Sequence, residues 1–253
     1  MRIGVFDSGL GGLSVLAALR AHLPVATLHY IADSGHAPYG ERDDTYIADR
    51  SLGIAQRLVD EGAQILVIAC NTATAVAIDA IRAAHAAIPV VGIEPGIKPA
   101  VAATRNGRIA VMATPATLRS LRFQALVATH AVAAHVHLQA CAGLAAAIED
   151  GDMQRSVQMH CAPVRASGAD TVVLGCTHYP FALELIRKEL GDSVTLIDTA
   201  DAVARQAARL CDLSQSNQHG RSATLLQTTG QLARLQSFAL RALAFPVTAT
   251  ICQ

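Results

Sequence analysis

Two cysteines stand where a thiol can do acid–base work. One ends the stretch Ile65-Leu-Val-Ile-Ala-Cys70-Asn71-Thr72-Ala73-Thr74, and the other sits in its echo, Thr171-Val-Val-Leu-Gly-Cys176-Thr177-His178-Tyr179-Pro180. Each is a short apolar, largely β-branched run that stops on a cysteine followed by small polar residues. Such runs read as fully buried strands of a parallel sheet. The residue just past the carboxyl end of such a strand faces the crevice where open α/β sheets bind ligands. The two halves of the chain therefore offer one thiol each in matching positions. This suits a reaction that needs an acid and a base on opposite faces of one carbon.

Three readings of the pair stand side by side. Free cysteines are commonly small buried hydrophobes, but the neighbours Asn71, Thr72, Thr177 and His178 are polar where packing would favour aliphatics. A redox dithiol would bring together two residues far apart in sequence with no CxxC. As a general acid and base, cysteine has an ordinary pKa of about 8.5, so modest tuning leaves one thiolate and one thiol near neutral pH. A helix expected over 72–87 puts its N-terminus beside Cys70, where the dipole and unsatisfied N–H groups favour the thiolate.

The elements that must position these residues follow from periodicity. Strands are expected over 2–7, 27–32, 64–69, 89–93, 108–113, 135–139, 171–175, 194–197, 223–228 and 247–251. Helices are expected over 13–22, 45–61, 72–87, 118–128, 141–149, 153–167, 181–190, 200–213 and 232–244. Ser8-Gly-Leu-Gly-Gly12 is a tight turn that lets backbone N–H groups approach an anion, but it lacks the spacing of a dinucleotide site and the lysine of a phosphate loop. Asp7 and Ser8 end the first strand and face the same crevice as Cys70. The loop Asp33-Ser-Gly-His-Ala-Pro38-Tyr39-Gly40 is rich in turn residues; its tyrosine and N–H groups can close over a small carboxylate. Thr114 to Thr117 reads as a turn, Glu94-Pro95-Gly96 as a crossing between domains, and 214–222 as a polar loop. No residue of the remaining tail suggests chemistry.

Alternation of strand and helix throughout argues an α/β protein of two similar doubly wound parallel-sheet domains related by pseudo-symmetry, with the active site in the cleft between them. The expected division is 1–95 with 208–253 for the unit carrying Cys70, and 96–207 for the unit carrying Cys176. The 253 residues are 52% hydrophobic but only 4% aromatic with no tryptophan, so Ala, Val, Leu and Ile build the interior. The formal net charge is zero and the cations are scattered, which argues against nucleic acid and anionic membranes as partners. No run approaches the ~20 apolar residues of a membrane span, and no signal peptide is recognisable at the start. The expected location is the cytoplasm, with the six cysteines as free thiols. His135 and His137 share a strand face but have no third ligand in view, so they read as an ordinary strand surface rather than a metal site.

The motifs Phe6-Asp7-Ser8-Gly-Leu-Gly-Gly12, Asp33 with Pro38-Tyr39-Gly40, Ala69-Cys70-Asn71-Thr72-Ala73-Thr74, Gly92-Ile93-Glu94-Pro95, Ala113-Thr114 with Thr117, and Leu174-Gly-Cys176-Thr177-His178-Tyr179-Pro180 run in order over nearly the whole chain. Together they resemble glutamate racemase, of the aspartate/glutamate racemase superfamily. The resemblance implies interconversion of L- and D-glutamate without pyridoxal phosphate, metal or other cofactor, the D-enantiomer serving peptidoglycan. It implies that Cys70 deprotonates D-glutamate and Cys176 L-glutamate. Asp7 would assist Cys70, His178 would assist Cys176, Glu149 would act on the second side, and Asp33 would add charge near the first. Asp7, Ser8, Pro38, Tyr39, Gly40, Cys70, Asn71, Thr72, Thr114, Thr117, Cys176, Thr177 and His178 would hold the substrate.

The resemblance also implies a homodimer. Related aspartate racemases usually carry His where this chain has Thr74 and Glu where it has His178, which favours glutamate here. The family often reads Cys-Pro-x-x-Val-Pro before its glutamate; this chain has Cys141-Ala-Gly-Leu-Ala-Ala-Ala-Ile-Glu149, and the missing prolines free the backbone there. The alternatives are another cofactor-independent racemase such as an aspartate racemase, or a non-catalytic gyrase-binding protein. The chain starts just before its first strand, so dependence on a cell-wall precursor or gyrase binding through an N-terminal extension is not expected.

Overall fold

The computed structural model describes residues 1–213 and 222–252. The chain runs β1 (Arg2–Asp7), α1 (Leu13–His22), β2 (Thr27–Ala32), α2 (Asp44–Asp60), β3 (Ile65–Ile68), α3 (Asn71–Ala84), β4 (Val90–Gly92), α4 (Ile97–Ala103), β5 (Arg108–Ala113), α5 (Pro115–Arg119) and α6 (Leu121–His130). It continues through β6 (His135–Ala140), α7 (Leu144–Asp150), α8 (Gln154–Ala166), β7 (Thr171–Gly175), α9 (Leu183–Leu190), β8 (Thr195–Ile197), α10 (Ala200–Leu213), β9 (Thr224–Thr228), α11 (Leu232–Ala242) and β10 (Thr248–Ile251). Apart from Ser222, the polar tract expected at 214–222 lies outside the described residues.

The strands form two sheets. One has the order β10-β9-β2-β1-β3-β4, the other β6-β5-β7-β8, and every pairing is parallel. The second sheet repeats the order β2-β1-β3-β4 of the first, which is the expected pseudo-symmetry in topological form. The central strands are continuous apolar runs because helices cover both faces: Ile3, Val5, Val67 and Ala69 belong to one core layer of the first sheet, Phe6, Leu66 and Ile68 to the other. Burying such a side chain is worth about 1.5–3 kcal/mol.

Four local expectations need correction. α4 begins directly after Pro95-Gly96, where a crossing without a helix was expected; Ile97 and Ala100 bury its short face, and seven residues are too few to show a helical period. The stretch 115–117, expected as a turn, is the first turn of α5. Thr114 caps it by accepting the Thr117 N–H, and Pro115 suits the first helical turn. The single helix expected over 118–128 is broken at Ser120, which is extended and caps α6 through Phe123 N–H. α7 starts at Leu144 rather than 141 because Gly143 takes a left-handed φ of 75°.

The tail completes the first sheet: β9 pairs with β2 and β10 with β9. α10 packs on α1, and its Ala200, Val203, Ala204 and Ala207 join the core under the first sheet. Among the described residues, no helix is long and apolar enough to cross a membrane.

Candidate active site

In each sheet the chain steps one way from the first strand to the second, then back past the first to the third. The topological switch therefore falls between β1 and β3 in one sheet and between β5 and β7 in the other, and ligands of open α/β sheets bind at this point. Ser8 follows β1 and Cys70 lies just beyond β3; Thr114 follows β5 and Cys176 follows β7. A cavity of about 200 Å³ lies between the two edges, lined by both thiols. Of the residues expected to hold substrate or do chemistry, Ser8, Pro38, Tyr39, Gly40, Asn71, Thr72, Thr114, Glu149, Thr177 and His178 also line it.

Cys70 is the N-cap of α3. Its Sγ accepts the Ala73 N–H at 3.4 Å and donates to Ser8 Oγ at 3.3 Å. The thiol is 4% exposed. Burial pushes it well above the usual thiol range, the Asp7 charge adds to this, and the bonds from Ser8 and Ala73 only partly offset it. The helix N-terminus favours the thiolate as expected, through the Ala73 N–H, but in this closed geometry desolvation outweighs it.

Cys176 has a different neighbour. Its Sγ lies 3.6 Å from His178 Nδ1, and His178 Nε2 lies 2.7 Å from Glu149 Oε1. Burial opposes the charged imidazole, but the bonds to Cys176 and Glu149 outweigh it and hold His178 well above its ordinary value. Burial likewise opposes the Glu149 carboxylate, and the His178 bond and charge, the Leu10 N–H and Arg234 together hold it low. These shifts favour imidazolium and carboxylate, with Nε2 shared with Glu149 and Nδ1 facing Cys176; the Gly11 N–H also points at Nε2, at 3.1 Å.

Hydroxyls and an amide complete the lining. Thr72 Oγ1 is 2.9 Å from Thr114 Oγ1 and 3.2 Å from Thr117 Oγ1, while Thr114 and Thr117 are 2.9 Å apart, so three hydroxyls from both halves form a triangle. The Asn71 side chain is buried beside the cavity with neither its amide nitrogen nor its oxygen paired. Such a group costs stability unless a ligand satisfies it. Ser14 Oγ also reaches the Thr177 carbonyl across the cleft at 3.1 Å.

Two residues expected to hold the substrate, Asp7 and Thr117, do not line the cavity, though Asp7 lies against Cys70 as its assisting role requires; Asp33 and Thr74 stand around the site. Asp7 is fully buried beneath the lining, with Oδ2 accepting the N–H groups of Gly12 at 2.8 Å and Gly9 at 3.3 Å, so it shapes the turn that carries Ser8. Burial raises its pKa against the pull of His178 and Gly12. Thr117 stands behind Thr114 and does not line the cavity. Asp33 is buried and its charge is held by Arg50, at 2.7 and 3.0 Å; it accepts the Tyr39 hydroxyl at 2.6 Å and so positions that ring. Thr74 bonds the Ile68 carbonyl and packs on Gly92, outside the cavity.

Glu149 lands in the site without the family's prolines, because Gly143 starts α7 and Gly151, at φ 83°, ends it. The tail, expected to carry no chemistry, contributes Arg234, which lines the cavity from the first turn of α11 and pairs with Glu149 and Asp150. Ser34 and Asp150 also line it. The placement follows from the sheet rather than from any local pattern: β9 is parallel to β2, so the residues after its carboxyl end face the same crevice. Burial pushes the Cys141 and Cys161 thiols up to about 12 and about 11, as befits packing residues. Among the described residues no cluster of His, Cys, Asp or Glu is arranged to hold a metal ion.

Two matched parallel sheets with a thiol at the edge of each and one cavity between them define a class of protein. The model of the Asp/Glu/hydantoin racemase family matches residues 13–207. Within that class the chain belongs to the glutamate racemase family: it is 47% identical over 241 residues to the glutamate racemase of Ralstonia pickettii, covering 93% of this chain and 85% of that one. Escherichia coli glutamate racemase, solved with L-glutamate and the activator UDP-MurNAc-Ala, superposes with a TM-score of 0.90 at 29% identity over 99% of this chain and 97% of the other. The Francisella tularensis glutamate racemase, solved with D-glutamate, gives 0.87 at 26% identity over 100% and 97%.

Proposed function

We propose that this chain interconverts L- and D-glutamate without a cofactor, by proton transfer at two thiols on opposite faces of the α-carbon. The observation that carries this reading is the placement of Cys70 and Cys176 at equivalent strand ends of two matched sheets, both lining one cavity. The relatives solved with each glutamate enantiomer support the substrate.

In the direction from L-glutamate, Cys176 takes the α-proton and Cys70, held as thiol by burial, returns one from the other face. In the reverse direction the roles exchange. The His178–Glu149 pair stabilises the thiolate at Cys176. At Cys70 the Ser8 hydroxyl and the Ala73 N–H do so less strongly, and Asp7 takes part through the turn it shapes. Developing charge on the substrate is met by preorganised donors: the Asn71 amide, the hydroxyls of Ser8, Thr72, Thr114 and Thr177, and backbone N–H groups near Gly40. Tyr39, held by Asp33, and Pro38 close the loop over the carboxylates, and Thr117 braces Thr114.

A pyridoxal mechanism needs a lysine to carry the cofactor. The chain has two, Lys98 and Lys188, and neither lines the cavity. The product would feed peptidoglycan synthesis in the cytoplasm. The first unit is assigned 1–95 with the tail, and the packing of α10 on α1 favours moving the return crossing from 208 to just before Ala200. A homodimer is expected and is checked by sedimentation.

The test is incubation of the purified, cofactor-free protein with each enantiomer of glutamate and aspartate in D₂O, following optical rotation and α-deuterium. Loss of rotation for glutamate alone, with deuterium entering the product, is the expected result. Activity on aspartate instead would overturn the substrate and keep the mechanism; no exchange with any of the four would overturn both.

A further inference from the structure

Glu149 joins the two halves of the site in a charge network. Its Oε1 accepts the Leu10 N–H from the turn after β1 at 2.8 Å and the His178 Nε2–H at 2.7 Å, while Oε2 faces Arg234 Nη2 at 3.4 Å. The same Nη2 lies 2.5 Å from Asp150 Oδ1. Arg234 belongs to α11, over the first sheet; Glu149 and Asp150 end α7, over the second. All three line the cavity, and Arg234 and Asp150 are partly exposed, so the cluster joins the two halves where the cavity meets solvent.

We propose that Arg234 is a positioning residue: it clamps Glu149 and Asp150 across the mouth of the cavity and so holds the Glu149 carboxylate on His178. The proposal rests on the racemase reading for what the network is for, but its geometry stands independently of that reading.

The Arg234 side chain is 44% exposed and that of Asp150 59%. Ion pairs this exposed contribute little to global stability, so fold maintenance is a poor account of the cluster. Glu149, at 9%, is different, because its Oε1 is already committed to both His178 and Leu10 on one side, which leaves Oε2 for Arg234. A cation on the other side decides which rotamer the carboxylate keeps. The titratable and charged groups facing the network are Cys176, Glu149 and Asp7 around His178, and His178, Arg234, Asp7 and Tyr30 around Glu149.

The test compares Arg234→Gln, Arg234→Lys and Asp150→Asn with the parent protein, using two readouts. The first is the His178 titration, followed by NMR of ¹³C-labelled imidazoles and assigned with His178→Gln. Removing a nearby cation acts through space to raise a histidine's pKa, whereas losing the aligned carboxylate lowers it. The expected result for Arg234→Gln is a fall of about half a pH unit or more, with partial recovery in Arg234→Lys and a smaller fall in Asp150→Asn. This readout needs no turnover, so it remains decisive even if the protein racemises nothing.

The second readout is kinetics with both enantiomers. They have equal free energy, so any loss in kcat/KM must be the same in both directions, and a positioning role shows as a fall in kcat of about tenfold with little change in KM. A rise in KM alone, with the titration unmoved, would make Arg234 a substrate-binding residue and overturn the proposal. A His178 midpoint that stays or rises would overturn it as well.

Discussion

His178 Nε2 lies 2.7 Å from Glu149 Oε1, and the same oxygen takes the Leu10 N–H of the opposite half at 2.8 Å. The two thiols are thus supported unequally. Cys176 has a buried ion pair behind it, whereas Cys70 has a hydroxyl, one backbone N–H and a carboxyl group that opposes its ionisation. A reaction with one proton donor and one acceptor has a use for two thiols in unlike surroundings.

Replacing either thiol should stop turnover while leaving the fold in place. Cys70→Ser and Cys176→Ser are near-isosteric, and each is expected to lower kcat by about a thousandfold or more with an unchanged circular dichroism spectrum. In the parent, alkylation of Cys70 should still be accelerating near about pH 9, because burial holds its thiol high. A plateau near neutral pH, read by mass spectrometry, would contradict that.

The unpaired amide of Asn71 leads to an unusual pair of outcomes. Asn71→Ala should raise KM for glutamate by about tenfold or more, the scale of a hydrogen bond to a charged group. Because both polar atoms of the side chain lack partners in the free protein, thermal stability should not fall. A lower melting temperature with an unaltered KM would show the amide to be structural.

The ion pair of His178 and Glu149 carries a signature in pH. The raised His178 value stabilises the fold fully below the ordinary 6.5 and is lost as pH rises through the folded value; the lowered Glu149 value stabilises above the ordinary 4.5 and is lost as pH falls through its own. The full contribution therefore spans 4.5 to 6.5. Glu149→Gln should cost about 2–4 kcal/mol there, with the gap to the parent shrinking in alkali. Urea midpoints at about pH 5.5 and about pH 9 test this; a gap that widens with pH would reverse the assignment of charge.

Gly11 is where the turn and the imidazole meet. A Cβ at this position would sit inside the His178 ring's contact distance, so Gly11→Ala must displace the ring or the turn. The expected cost is about 1–3 kcal/mol of stability and about a hundredfold in kcat/KM. Crystallography of the variant should find His178 away from Cys176; full activity would show that the closed contact between the halves is dispensable.

The order of strands and helices, the two strand-end thiols and most of the polar lining were legible in the residues themselves. Apolar runs of period two, helical stripes and turn residues are local properties, and in a parallel sheet the end of a strand is by itself a statement about where the crevice lies. Short pieces escaped this: α4 and the break at Ser120 are too brief for a period, and a turn and a first helical turn share the same residues. Where side chains meet across the cleft was decided only by tertiary structure. Leu10 and Glu149 are 139 residues apart, and Arg234 comes from a helix whose sequence points to nothing but packing. Asp33 reads as a free charge until Arg50 claims it, and Asp7 and Thr117 read as lining until the turn and Thr114 cover them. Desolvation sets the state of Cys70, the His178–Glu149 pair stands behind Cys176, and both depend on how closely the two sheets approach, a distance no local pattern specifies.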